Sequence, residues 1–245
     1  MTCYKLVFAL YKVWATKKGR LKPPVNVDGV EWGCDGDRWM TDFKVPGYWN
    51  IPCLQAGKLQ LLVELETTNK PPFAENLTEP RGVSRPSSDP PCLKVTIRKY
   101  KESGWGSRII SNLGYRLKGC VAHELQHFLD EEIRQELIKR GVPYRLANFA
   151  TKGADAIKSH WDYLADPMEV RAKVRQVVEK SKAGHKPLKQ LMDYHLRRVR
   201  EIVLRQSEDE AATNEMVENL RKLYLEEYLR MYPDRSSGVI SNLEL

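Results

Sequence analysis

The chain has 245 residues, of which 42% are hydrophobic and 29% charged, and its 40 Lys and Arg against 32 Asp and Glu give a net charge of +8. That length can bury a real core, as one large domain or a domain with an extension. The composition is that of an ordinary globular protein, which excludes a disordered or fibrous chain. No apolar run approaches the roughly 20 residues that cross a bilayer.

The residues from Met1 to Leu10 are apolar enough to suggest a leader. Lys12 interrupts them and Trp14 follows, so a buried strand is the expectation. Trp32, Trp39, Phe43, Tyr48 and Trp49 cluster in a Gly-rich stretch and predict a small β-rich core. In residues 58–67, Leu59, Leu61, Val63 and Leu65 alternate with Gln60, Glu64 and Glu66, the pattern of a half-buried strand. Residues 71–91 hold six prolines and three serines and read as a long irregular excursion. Leu93, Val95 and Ile97 against Lys94, Thr96 and Arg98 predict a second strand. Ten of the fourteen prolines precede Leu93, so the chain changes character near residue 100 and is mainly helical afterwards. Cys3, Cys34, Cys53, Cys92 and Cys120 are odd in number and scattered, with no Cys-x-x-Cys pair. This argues for a reducing, cytoplasmic setting and against a thiolate metal site.

Ser111, Asn112 and Gly114 supply turn and capping residues ahead of a proline-free helix over residues 115–140, which Gly141 and Pro143 close. Val121, Leu125, Phe128, Leu129, Ile133 and Leu137 form its apolar stripe. On its border lie His123-Glu124-Leu125-Gln126-His127, an H-E-x-x-H motif. Residues four apart share a helix face, so both imidazoles can reach one ion, while Glu124 is placed to hydrogen-bond a water rather than to ligate. Two neutral nitrogen ligands, a carboxylate base and an open position are what a zinc hydrolase requires.

A tetrahedral site needs a third protein ligand. Downstream candidates are His160, Asp162, Asp166, Glu169, Glu179, His185, Asp193 and His195. Pro167 opens a second helix, closed by Gly184, with Glu169 in its first turn. Glu169 is the preferred ligand and His160 the alternative. Asp166-Pro167-Met168-Glu169 is equally a capping-box pattern, in which Glu169 would reach back to the Asp166 N–H. Tyr163, Arg171, Tyr194 and His195 are candidates for steadying an oxyanion.

The motif with a Glu 42 residues beyond it resembles the gluzincin zinc metallopeptidases. Tyr163-Leu164-x-x-Pro167-x-Glu169-x-Arg171-Ala172 is similar to small zincin-like peptidases encoded in phage and bacterial genomes. The resemblance covers roughly residues 93–182. It implies a zincin-like α+β fold, Zn(2+) held by His123, His127 and Glu169, Glu124 as the base, and a peptide or protein substrate that pairs with a strand before the motif helix; either predicted strand could serve. For a phage-encoded member it implies the host cytoplasm or the virion. Where the best-known members carry an Asp four residues after the Glu ligand, this chain has Lys173, so the groups that orient the ligands come from elsewhere, with Asp162 and Asp166 as candidates.

The expected organisation is a β-rich part over 1–100, a zincin-like helical region over 101–185 and a helical hairpin over 186–245, together forming one compact domain. Ser207-Glu208-Asp209-Glu210 caps the last helix, which carries Met216, Leu220, Leu223, Leu225, Tyr228 and Leu229 before Pro233. The basic run Arg197-Arg198-Val199-Arg200, with Arg205, is interleaved with aliphatics at helical spacing. A solvated helix face is expected, with weak non-specific nucleic-acid binding at most. The competing reading is a basic binding or virion-associated protein whose metal site is structural or vestigial.

Overall fold

A computed structural model describes residues 3–17, 20–35, 37–44, 58–68, 78–86, 88–100, 107–141 and 151–233. The fold is α+β, and the chain divides into two compact units, Met1–Glu132 and Ile133–Leu245.

The first unit opens with α1 (Cys3–Thr16), a helix where the apolar run suggested a strand. Its buried residues are Cys3, Leu6, Val7, Leu10, Tyr11, Trp14 and Ala15, spaced by three and four, so one wide face enters the core. Six strands follow: β1 (Val25–Val27), β2 (Val30–Asp35), β3 (Arg38–Lys44), β4 (Lys58–Thr68), β5 (Thr78–Arg85) and β6 (Cys92–Tyr100). They form one sheet in the order β1-β2-β3-β4-β6-β5. The central pair β4 and β6 run parallel, with Leu61 opposite Leu93 and Val63 opposite Val95, while the other pairs are antiparallel.

Strand β5 lies inside the segment that reads as irregular. Its sequence, TEPRGVSR, carries Pro80 and Gly82 and no run of large apolar residues. A proline is tolerated there because, among the described residues, β5 pairs on one side only and a missing N–H at the sheet edge breaks no ladder.

Side-chain alternation then sets the two faces of the sheet. Leu59, Leu61, Val63, Leu65, Leu93, Val95 and Ile97 join Trp32, Trp39 and Phe43 in one core with α1 and the motif helix. On the other face Glu64 takes hydrogen bonds from Arg38 Nε at 3.2 Å and Thr96 Oγ1 at 3.1 Å, and Lys94 Nζ lies 2.8 Å away. These cations and the hydroxyl hold the Glu64 carboxyl below its ordinary range against the desolvation that would raise it.

The motif helix α2 (Ser107–Leu129) starts earlier than the turn residues suggested, taking Ser111 to Gly114 into the helix, and stops at Asp130. A short α3 (Glu131–Lys139) follows and ends at Gly141, whose φ of 76° is the left-handed conformation that glycine adopts without strain. Leu113, Leu117, Val121, Leu125 and Phe128 are buried, but Ile133 is 46% exposed. The apolar stripe therefore belongs to α2 and does not continue into α3.

The second unit holds α4 (Ala154–Leu164), α5 (Pro167–Gly184), α6 (Leu188–Ser207) and α7 (Glu210–Met231). Val170, Val174, Val177 and Val178 pack with Met192, Leu196, Val199 and Val203, and with Met216, Val217, Leu220, Tyr224 and Tyr228. Asp209 caps α7, its Oδ1 accepting the Ala212 N–H at 2.9 Å. No described helix is long and apolar enough to cross a membrane.

The alternation in β4 gives a direct test. Leu61 is fully buried and Leu62 half-buried on the opposite face. Leu61→Ala should cost about 2–5 kcal/mol by urea unfolding, and Leu62→Ala about 1 kcal/mol or less. The opposite order would place the register one residue out.

Candidate metal centre

The burial of α2 decides where its polar border points. With Val121, Leu125 and Phe128 in the core, His123 and His127 emerge together on the adjoining flank, both half-buried. Their Nε2 atoms are 3.2 Å apart and their rings meet edge to face, at 85°. Two nitrogens bound at about 2.0–2.1 Å to a tetrahedral zinc lie about 3.3 Å from each other. The pair is thus already at the span of a chelate; without a metal the same distance suits one imidazole donating its N–H to the other.

Glu124, one position on and rotated by about 100°, is 7% exposed. It lies against β5, and a Cβ built on Gly82 would come within 2.2 Å of its Cγ. The strand beside the motif helix is therefore β5. The two strands expected from the sequence to border the cleft, β4 and β6, are paired on both sides within the sheet; neither offers a free edge to a substrate.

In the second unit α5 begins at a defined cap. Asp166 Oδ1 accepts the N–H of Met168 at 2.9 Å and of Glu169 at 3.4 Å. The Asp166 N–H donates to the Tyr163 carbonyl at 3.3 Å, where a full capping box would direct it to Glu169. The Glu169 carboxylate, 6% exposed, instead accepts a hydrogen bond from Tyr163. Burial pushes its pKa up to about 7, opposed by Lys173 and by the Tyr163 hydroxyl, with Asp166 adding to the rise. Lys173, in the place where the gluzincin pattern has an acid, thus supplies charge compensation one turn from Glu169. Its Nζ also donates to Gln176 at 2.7 Å.

The other candidates have their own positions. His160, buried on α4, has its Nε2 2.7 Å from Gln206 Oε1 and ties α4 to α6. Arg171 Nε donates to Glu227 on α7 at 3.2 Å. Tyr194 is 38% exposed, with the Arg197 guanidinium 5.6 Å from its ring centroid. His195 Nε2 lies 3.5 Å from the Tyr224 hydroxyl. Glu179 pairs with Lys182, Asp193 with Arg221, and His185 is the left-handed C-cap of α5. In the basic run, Arg200 reaches Glu210 and Asn214, and Arg198 reaches Glu201.

Sequence reasoning missed Gly82 and Tyr224. Gly82 left a faint signal, a glycine within the alternation Pro80-x-Gly82-x-Ser84. Tyr224 sits four residues from both Leu220 and Tyr228, and nothing but that packing stripe marks it. The Tyr224 pKa is raised by burial and by the nearby Glu169.

No protein-family model matches the chain, and neither does any curated protein or solved structure. The functional reading therefore rests on the residues themselves.

The environment of His195 predicts a pH dependence. Loss of solvation, with Lys173 and Lys180 nearby, holds its pKa well below the ordinary imidazole value. The folded chain keeps this ring neutral while the unfolded chain takes up a proton near pH 6.5. Its contribution to stability is present above that pH and is lost as pH falls. Relative to His195→Gln, the parent protein should lose several °C of Tm between pH 7.5 and 5; a constant difference across that range would contradict it.

Proposed function

We propose that the protein is a zinc-dependent hydrolase of the metallopeptidase kind, with peptide or protein substrates. The observation that carries this reading is the 3.2 Å separation of the His123 and His127 Nε2 atoms, on a helix that also carries a buried Glu124 next to them. Proximity of two imidazoles alone fits a hydrogen-bonded pair; an adjoining carboxylate that need not ligate supports the reading as a metal hydrolase.

His123 and His127 would supply two nitrogens and Glu169 an oxygen. Glu169 suits that task because its carboxylate is withdrawn from water and needs a cation to hold it charged, and Lys173 compensates it only in part. Tyr163 fixes its orientation by hydrogen bonding to it, as the orienting partners of metal-bound carboxylates do. Zinc bound by these residues would make a water acidic enough to attack near neutral pH and would polarise the substrate carbonyl. Glu124 would accept the proton of that water and pass it to the departing amine. Among the described residues β5 pairs on one side only, and its other edge is the place where an extended peptide would add as a further strand.

Glu124→Gln keeps the shape and removes the base. It should retain zinc and the fold while hydrolysis of a peptide mixture falls by about 10² to 10⁴. Glu169→Ala should lose most of its zinc, and His160→Ala, which breaks the tie to Gln206, should keep it. Unchanged cleavage by Glu124→Gln would rule out this mechanism, and full zinc retention by Glu169→Ala would remove Glu169 from the ligand set.

A further inference from the structure

Gly82 is in β5, opposite Val95 of β6, and its φ is outside the left-handed range. Any residue could adopt this backbone, so what glycine contributes is space. A Cβ there would stand 2.2 Å from Glu124 Cγ, 2.5 Å from Oε1 and 2.6 Å from Cδ, whereas non-bonded carbons settle at about 3.5–4.0 Å. Other described glycines differ: a Cβ on Gly33 would meet a carbonyl at 3.9 Å, and one on Gly114 would touch the Phe8 ring at 3.5 Å, both ordinary contacts. Glu124 is itself buried, so it has little room to swing aside. Arg81, Val83 and Arg85 point to the exposed face of the strand, and Pro80, Gly82 and Ser84 to the side where α2 lies. The small residues let helix and strand approach closely at that point.

We propose that Gly82 is a positioning residue for Glu124. It leaves a notch in the edge strand that receives the stem of the Glu124 side chain and fixes its carboxylate relative to His123 and His127. Proton transfer needs heavy atoms within about 2.6–3.2 Å, and a misplacement of about 1 Å can cost 10²-fold in rate. The catalytic part of this inference rests on the hydrolase reading above; the contact itself does not.

The two parts are tested separately. The contact is read from Tm in metal-free protein for the parent, Gly82→Ala, Glu124→Ala and the double variant. Gly82→Ala should lower Tm by several °C with Glu124 present, and leave it unchanged or raise it with Glu124→Ala, where the notch is empty and alanine suits a strand better than glycine. Equal losses in both backgrounds, or a double variant that fails to fold as Gly82→Ala does, would overturn the proposal. The consequence is read from zinc content, kcat and KM on a cleaved peptide. Gly82→Ala should keep its zinc and lose about 10²-fold in kcat with KM little changed. Zinc retained with kcat within about twofold of the parent would overturn the positioning role and leave the hydrolase reading standing. A parent that binds zinc and cleaves no peptide would sink the hydrolase reading, and the Tm comparison would still decide whether Gly82 seats Glu124.

Discussion

A helix brings two imidazoles four residues apart onto one face, but which way that face points depends on the rotation of the helix about its own axis. In α2 that rotation is set by Leu117, Val121, Leu125 and Phe128, which enter a core shared with α1 and the sheet. Each buried side chain of this size contributes about 1.5–3 kcal/mol, so turning the helix by one position would expose several of them. The Nε2 separation of 3.2 Å between His123 and His127 comes from their spacing of four on one helix, and the anchoring fixes the direction in which the pair faces. The same constraint presses Glu124 onto β5, where a Cβ on Gly82 would stand 2.2 Å from its Cγ.

Several acidic side chains are buried among the described residues, Glu64, Asp130 and Glu131 as well as the two carboxylates of the candidate site. Glu124 and Glu169 are both carboxylic acids withdrawn from water, a situation proteins tolerate when the charge is paired or has a task. In the sheet, Glu64 shows the ordinary structural solution: two cations and a hydroxyl surround it and its pKa goes down. Glu169 shows the opposite outcome, a pKa pushed up to about 7 by burial in spite of Lys173 and Tyr163. A bound cation would complete its compensation; Glu179, Asp193 and Glu227 each lie in an ion pair with a Lys or Arg.

Much of this was legible in the sequence because it rests on periodicity. The α+β class, the alternation of β4 and β6, the Asp166 cap with Pro167 and the stripe of α7 all follow from spacings that one element shows by itself. The failures have physical causes. In α1, Lys5 and Lys12 are seven apart and so share a helix face, but the wide apolar face around them reads as a strand. β5 looks irregular because an edge strand can carry Pro80 and Gly82 without penalty. The break at Asp130 was hidden because its N–H still bonds to the Gln126 carbonyl at 2.9 Å and its carboxylate accepts from Gln126 Nε2 at 3.1 Å. Gly82 needs the third dimension: its importance lies in what faces it, and no local pattern records that. Tyr48, Trp49, Cys53 and Pro143 lie outside the described residues.

The central claim is a zinc ion held by nitrogen and oxygen and by no sulfur. The zinc K-edge absorption spectrum of protein purified without added metal tests it most directly. The account predicts one zinc per chain, a shell of nitrogen and oxygen at about 2.0–2.2 Å, and the outer-shell scattering of two imidazoles. A protein without zinc, or a shell containing sulfur at about 2.3 Å, would contradict it.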